Sequence, residues 1–207
     1  MSNGFLPGPA GGLEYCLDEA GSAIEGSIEG AIEGAMAVLC HPHPLYGGSM
    51  HDLALSIVQR ALNDRQYGTL RFNFRGAGAS EGQHDEGVGE IQDVIKASAW
   101  LCEQRKVSDF VLAGYSFGAL MALQAQAKTQ ASRMILLAPP LSLATQFVPP
   151  SIDTLVILGA NDAFVKVADA EKVLAVPNIR FEVLPGTDHF FGGAEQAIRD
   201  LIFDWLG

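Results

Sequence analysis

The sequence predicts an α/β fold with a mostly parallel central sheet and helices on both of its faces. The first observation is that, from residue 35 onward, short apolar segments alternate with segments whose apolar residues recur at helical spacing. The second is that the first of these segments, 35–42, is a continuous apolar run, which is typical of a strand buried on both faces. Strands and helices that alternate in this way form parallel sheets, because each helix carries the chain back to the start of the next strand.

Six apolar runs predict the strands of this sheet. In chain order they span 35–42, 67–74, 109–116, 133–140, 154–162 and 179–186. The loops after the strands meet at one edge of a parallel sheet, where ligands bind in open α/β folds. We therefore expect functional residues directly after these segments.

Helical spacing predicts the elements between and after these strands. Met50, Leu53 and Ile57 recur at that spacing in the first helix, and Ile198 and Leu201 do so in the last. The predicted helices span 50–65, 87–106, 117–128, about 167–175 and 194–206.

The length and composition suit a single domain over residues 1–207. Hydrophobic residues make up 48% and charged residues 18% of the chain, so a sizeable core can be buried. One segment, 24–35, repeats Ile-Glu-Gly every four residues. Because recurrent glycine weakens a helix, this segment is predicted to be a hairpin or spacer without chemistry.

The net charge and the cysteines restrict the expected partners and the expected cellular compartment. A formal net charge of −11 disfavours nucleic acid and anionic membranes as partners. The first residues lack the basic start and apolar run of a secretory signal. Cys16, Cys40 and Cys102 are odd in number and far apart, which favours reduced thiols in the cytoplasm. The sequence leaves open whether the protein forms a homo-oligomer.

The segment GYSFG, residues 114–118, joins a predicted strand to a predicted helix. A nucleophile elbow has this sequence pattern in this setting, with the serine in a strained turn above the sheet. Gly114 and Gly118 suit positions where a side chain would collide with the neighbouring strand and helix. Ser116 is therefore the candidate nucleophile.

A serine hydroxyl becomes a good nucleophile only when a base takes its proton. In elbow enzymes the base is a histidine that follows the serine and the acid in the chain. His189, in PGTDHFF after the last strand, is the only histidine downstream of Ser116. His189 is therefore the candidate base.

The acid that orients His189 is expected between the serine and the histidine. Asp162 is the last residue of the strand predicted over 154–162, where a carboxylate can accept the imidazole Nδ1–H. Asp153 precedes that strand and so belongs at the opposite end of the sheet. Asp188 is adjacent to the histidine, and Asp169 suits a solvated helix, which leaves Asp162 as the candidate acid.

Together, the elbow, GAND and GTDHFF resemble the α/β-hydrolase superfamily. The motifs HPHPLYGG (41–48) and RFNFRGAGASEG (71–82) are similar to its small, lid-poor, dienelactone-hydrolase-like branch of serine hydrolases. The resemblance spans residues 36–206. The chain departs from true dienelactone hydrolases by having Ser116 where they use cysteine.

The resemblance implies that the HPHPLYGG loop supplies one donor of an oxyanion hole. Attack on a carbonyl creates an oxyanion that preorganised N–H groups must stabilise, and one of them is expected from Phe117, which follows the nucleophile. Pro42 and Pro44 have no N–H to donate. Alignment with the related His-Gly-x pattern gives the Leu45 amide as the second donor, with Tyr46 as the alternative.

The segment 141–153 is too short for a lid domain, so the site is expected to be open. Candidate substrate-binding residues are Tyr46, Leu141, Phe147 and Phe190. An open site without deep apolar cover suits small or short-chain acyl esters. No cofactor is expected.

The leading hypothesis is a serine hydrolase, most simply a carboxylesterase, that works through an acyl-enzyme. A thioesterase or a peptidase or amidase would use the same triad. A metallohydrolase built on His41, His43 and His51 is a second hypothesis, although 5 histidines in all leave few further ligands. A binding module that has the fold without activity is a third.

Overall fold

The computed structural model describes residues 1–19, 34–144 and 148–207. Within them the strands form one sheet in the order β1-β2-β4-β3-β5-β6-β7-β8. The strands are β1 Ser2–Gly8, β2 Gly11–Asp18, β3 Ala35–Cys40, β4 Gly68–Phe72, β5 Asp109–Tyr115, β6 Arg133–Leu137, β7 Asp153–Gly159 and β8 Ile179–Leu184. The helices are α1 Leu53–Asp64, α2 Val88–Gln104, α3 Phe117–Ala125, α4 Val167–Leu174 and α5 Glu195–Leu206.

The predicted fold class is confirmed: strands β3 to β8 run parallel to one another, and each predicted strand and helix lies within a few residues of its expected range. Most of the Ile-Glu-Gly segment, residues 24–33, lies outside the described residues. Of its last two residues, Gly34 is in a turn and Ala35 begins β3.

The hairpin of β1 and β2 was not predicted from the sequence. The two strands pair antiparallel, and β2 also pairs antiparallel with β4 at the edge of the parallel sheet. Leu6, Leu13 and Leu17 are buried and anchor the hairpin to the core. Glycines and Pro7 interrupt its apolar pattern, and proline is tolerated because β1 is an edge strand.

The helices pack in pairs, α1 with α5 and α2 with α3. The crossover from β3 to β4 runs along the sheet in the opposite direction to the later crossovers. Since parallel crossovers are right-handed, α1 and α2 lie on opposite faces. The order reverses between β3 and β5, and the crevice at their carboxyl ends is where this class of sheet binds ligands.

None of the helices in the described part of the chain combines the length and apolar character needed to cross a membrane.

Candidate active site

Ser116 lies at the carboxyl end of β5, immediately before α3 begins. Its backbone is in a sterically strained region, with φ 53° and ψ −121°, and its amide donates to the carbonyl oxygen of Leu137 over 2.8 Å. A non-glycine residue with such angles costs on the order of 1–3 kcal/mol and needs support from its surroundings. This is the strand–turn–helix geometry expected of a nucleophile elbow.

Two glycines make the elbow possible because backbone atoms approach them closely. A Cβ on Gly118 would lie 2.2 Å from the carbonyl oxygen of Cys40 and 2.4 Å from that of His41. A Cβ on Gly114 would lie 2.5 Å from the carbonyl oxygen of Gly118. The first turn of α3 therefore sits directly against the end of β3.

The structure brings Ser116, His189 and Asp162 together at the ends of β5, β8 and β7. The His189 Nε2 lies 2.9 Å from Ser116 Oγ, and its Nδ1 lies 2.7 Å from Asp162 Oδ2. With its proton on Nδ1, the imidazole donates to Asp162 and accepts from the serine hydroxyl. The Asp162 side chain is fully buried, and His189 is nearly so.

Asp162 is held by the turn that follows β7. Its Oδ1 accepts the amides of Phe164 and Val165, each over 2.8 Å, which leaves Oδ2 for His189. Such charge-assisted bonds fix the orientation of the carboxylate. Asp188, in contrast, accepts the amide of Phe190 over 2.9 Å.

Two further residues hold the His189 loop, and sequence reasoning missed both. The Tyr115 hydroxyl donates to the carbonyl oxygen of His189 over 3.0 Å, and burial raises the pKa of this tyrosine. A Cβ on Gly159, at the end of β7, would lie 2.4 Å from the carbonyl oxygen of Thr187. Nothing in the sequence pattern separates these residues from ordinary strand residues.

The two histidines of HPHPLYGG have different surroundings. His41 is fully buried, its Nε2 accepts the Phe74 amide over 2.9 Å, and its Nδ1 lies 2.6 Å from the carbonyl oxygen of Pro42. Burial lowers the pKa of His41 to about 4. Both nitrogens are engaged, so His41 would have to give up a hydrogen bond to bind a metal.

His43 is partly exposed and shapes the start of the short 3₁₀ turn Pro44–Tyr46. Its ring centroid lies 4.6 Å from that of Phe117 and 4.8 Å from that of His84. Burial, followed by the neighbouring His84, lowers the pKa of His43. In the described part of the chain, no cluster of three or more His, Cys, Asp or Glu side chains is arranged to hold a metal ion.

The amides of the loop are not equivalent as oxyanion donors. The Leu45 amide donates to His43 Nδ1 over 3.3 Å, and the Tyr46 amide donates to the His43 carbonyl oxygen over 3.1 Å. The His43 amide has no acceptor among the described residues, nor does the Phe117 amide at the start of α3. In the described part of the chain, the amides of His43 and Phe117 therefore remain available to a ligand, whereas those of Leu45 and Tyr46 are engaged within the loop.

The residues that the structure describes leave the surface around Ser116 open. Tyr46 and Phe190 are mostly exposed, and Leu141 begins a 3₁₀ turn in the connection between β6 and β7. Phe147, the fourth predicted substrate-binding residue, lies outside the described residues. That connection spans only residues 138–152, which leaves no room for a lid domain.

Comparison with known proteins gives consistent matches. A family model described as serine aminopeptidase, S33, matches residues 38–180, which include Ser116 and Asp162. An uncharacterized protein of Rickettsia prowazekii (strain Madrid E) is 30% identical over 185 residues, or 83% of this chain and 78% of that protein.

Two solved structures are similar over almost their whole length. An α/β serine hydrolase homologue from Coxiella burnetii has 29% identity and a TM-score of 0.89, covering 100% of this chain and 97% of that chain. An α/β serine hydrolase without a lid, from Xanthomonas campestris, has 30% identity and a TM-score of 0.88, and the match covers 99% of this chain and 93% of that chain. Both matches extend over His189, which lies beyond the region of the family model.

Proposed function

This chain belongs to the serine aminopeptidase S33 family of α/β serine hydrolases, and from that premise we propose that it hydrolyses small or short-chain carboxylic esters. The observation that carries the proposal is the hydrogen-bond chain from Ser116 Oγ through His189 to Asp162, with links of 2.9 and 2.7 Å. These hydrogen bonds supply the serine with a base, and they supply the base with a buried carboxylate that orients it.

In the first half of the reaction, Ser116 Oγ attacks the acyl carbon while His189 Nε2 takes the serine proton. Asp162 holds the imidazole in the required tautomer and stabilises the imidazolium that forms. The tetrahedral intermediate then collapses: the bond between the acyl carbon and the alcohol oxygen breaks, and that oxygen takes the proton from Nε2. The alcohol leaves, and an acyl-Ser116 ester remains.

In the second half, water replaces the alcohol. His189 Nε2 takes a proton from the water as its oxygen attacks the acyl carbon, and the new intermediate expels Ser116 Oγ, which recovers its proton from Nε2. The products are a carboxylic acid and the free enzyme, so no external reactant other than water is needed.

The oxyanion of both intermediates needs preorganised donors. We assign the Phe117 amide, whose place at the start of α3 also sets the positive end of a helix dipole beneath the site. The second donor is the His43 amide, which has no acceptor in the described chain, whereas the Leu45 and Tyr46 amides bond within the loop. The buried His41 holds this loop against Phe74.

The open surface supports small acyl groups rather than long chains. Two surface cavities, one lined by Tyr15 and Met50 and the other by Leu120 and Leu123, do not include Ser116, Asp162 or His189. A long acyl chain would need apolar cover that this surface does not provide. Because the family model is described as an aminopeptidase, amide hydrolysis is the second candidate function.

The test is a hydrolysis screen over p-nitrophenyl esters of graded acyl length, with an acyl thioester and aminoacyl p-nitroanilides beside them. We expect kcat/KM to peak at the shortest esters, to survive excess chelator and to vanish in Ser116→Ala. A long-chain optimum would overturn the inference of an open site. Faster turnover of an anilide than of every ester would establish the amidase function in its place.

A further inference from the structure

Two exposed phenylalanine rings flank His189. Phe164 is 63% exposed and Phe190 is 64% exposed, whereas His189 is only 7% exposed. The ring centroids of Phe164 and Phe190 lie 4.8 and 5.7 Å from that of the imidazole. The two phenyl rings lie 6.3 Å from each other, with their planes at 86°. Both exposed rings therefore lie beside the imidazole, and we call them the aromatic pair.

The aromatic pair is held in place by turns rather than by burial in the core. The Phe164 amide donates a hydrogen bond to the carboxylate of Asp162, two residues earlier. The Phe190 amide donates in the same way to the carboxylate of Asp188. Single exposed apolar residues are common on protein surfaces. Two neighbouring exposed rings beside the imidazole instead place apolar surface where the substrate of a His189-dependent reaction must lie.

The chemistry of the reaction decides which part of a substrate this patch meets. When the first intermediate collapses, the alcohol oxygen takes its proton from His189 Nε2, so this oxygen must lie within hydrogen-bond reach of Nε2. The alcohol's carbon substituent then extends on the His189 side of the site. The acyl group extends away from the imidazole, because its carbon is bound to Ser116 Oγ and its oxygen faces the amide donors.

We propose that Phe164 and Phe190 form the alcohol subsite and select esters whose alcohol carries an aromatic or compact apolar group. This inference rests on the proposed ester hydrolysis and adds the class of alcohol to it. Edge-to-face and offset contacts between aromatic rings suit the perpendicular planes of the pair. Such a contact is worth about twofold to tenfold in kcat/KM for each ring.

The test compares benzyl acetate with ethyl acetate. The two substrates share an acyl group and therefore the same acyl-enzyme, so their kcat/KM values differ only through binding and the release of the alcohol. We expect the wild type to prefer benzyl acetate. Phe164→Ala and Phe190→Ala should each lower the benzyl-to-ethyl ratio of kcat/KM by about twofold to tenfold.

Two sets of variants separate selection from general damage. Phe5→Ala removes an equally exposed ring, 60% exposed on β1, and should leave the ratio unchanged. Phe164→Leu and Phe190→Leu keep apolar bulk and should give ratios between those of the wild type and the alanine variants.

The possible outcomes are distinct. If the wild type shows no preference, or if the alanine variants lower both esters equally, the alcohol subsite is wrong while ester hydrolysis stands. If no ester is turned over in a Ser116-dependent way, the proposed function fails and the subsite fails with it.

Discussion

Acid should destabilise the fold through His41, the first histidine of HPHPLYGG. Its Nδ1 lies 2.6 Å from the Pro42 carbonyl oxygen, so this nitrogen carries the proton, and its Nε2 accepts the Phe74 amide over 2.9 Å. A second proton on Nε2 would face the N–H of Phe74 in a site closed to water. Burial therefore lowers the pKa of His41 from 6.5 to about 4.

The sign and size of the effect follow from these two pKa values. Below about pH 6.5 the unfolded chain takes up a proton at His41 that the folded chain refuses, so the free energy of unfolding falls as the pH falls. The loss levels off below about pH 4, where both states are protonated. At about 1.4 kcal/mol for each tenfold change in proton affinity, the full loss is about 3 kcal/mol, of which about 2 kcal/mol is reached by pH 5.

The assay is urea unfolding of the wild type and His41→Gln at about pH 7.5 and about pH 5. Glutamine can keep the acceptor for Phe74 but cannot take up a proton, and other titrating groups cancel in the difference between the two proteins. The free energy of unfolding should be higher for the wild type than for His41→Gln, and this difference should shrink by about 2 kcal/mol at the lower pH. The exposed His51→Gln is the control and should show no such change. A difference in free energy of unfolding that is the same at both pH values would refute the role assigned to His41.

Three further substitutions test the site. Asp162→Asn keeps an acceptor for the turn amides but directs an N–H toward His189, which favours the wrong tautomer. Its kcat on p-nitrophenyl acetate should fall about 10³- to 10⁴-fold, and a fall of less than about tenfold would count against the assignment. Tyr115→Phe leaves the His189 carbonyl oxygen without its donor, so the free energy of unfolding measured in urea should fall by about 1 kcal/mol or more. No change would show that this hydrogen bond does not stabilise the fold. Gly118→Ala places a methyl group against the Cys40 carbonyl oxygen and should destabilise the fold by about 2 kcal/mol, whereas an unchanged Tm would show that the loop yields at no cost.

The parallel part of the sheet was predictable because most of its strands are buried on both faces and are rich in apolar residues. The same logic predicted Ser116, Asp162 and His189 as site residues, since each lies at the end of a predicted strand or in the loop after it and only one histidine follows Ser116. The structure brings their side chains within hydrogen-bond distance of one another. The β1–β2 hairpin was not predictable in this way. Its buried apolar residues, Leu6, Leu13, Cys16 and Leu17, are separated by glycines, a proline and partly exposed residues.

The assignment of the loop amides shows a second limit of the sequence. Alignment with a motif selected Leu45, because it counts residues along the chain. We instead propose His43, because its side chain and carbonyl group accept hydrogen bonds from the amides of Leu45 and Tyr46. Hydrogen bonding inside a tight turn depends on backbone angles that the letters HPHPLYGG do not specify. Contacts made by neighbouring strands, such as that of Tyr115 with His189, are hidden for the same reason.

The nucleophilic role of Ser116 is tested most directly by labelling with a fluorophosphonate probe, followed by mass spectrometry of the digested protein. A single adduct is expected on the peptide that contains Ser116. It should be absent in Ser116→Ala and form far more slowly in His189→Ala, which keeps the serine but loses its base. Equal labelling of the wild type and Ser116→Ala, or no labelling of the wild type, would contradict a serine nucleophile activated by His189.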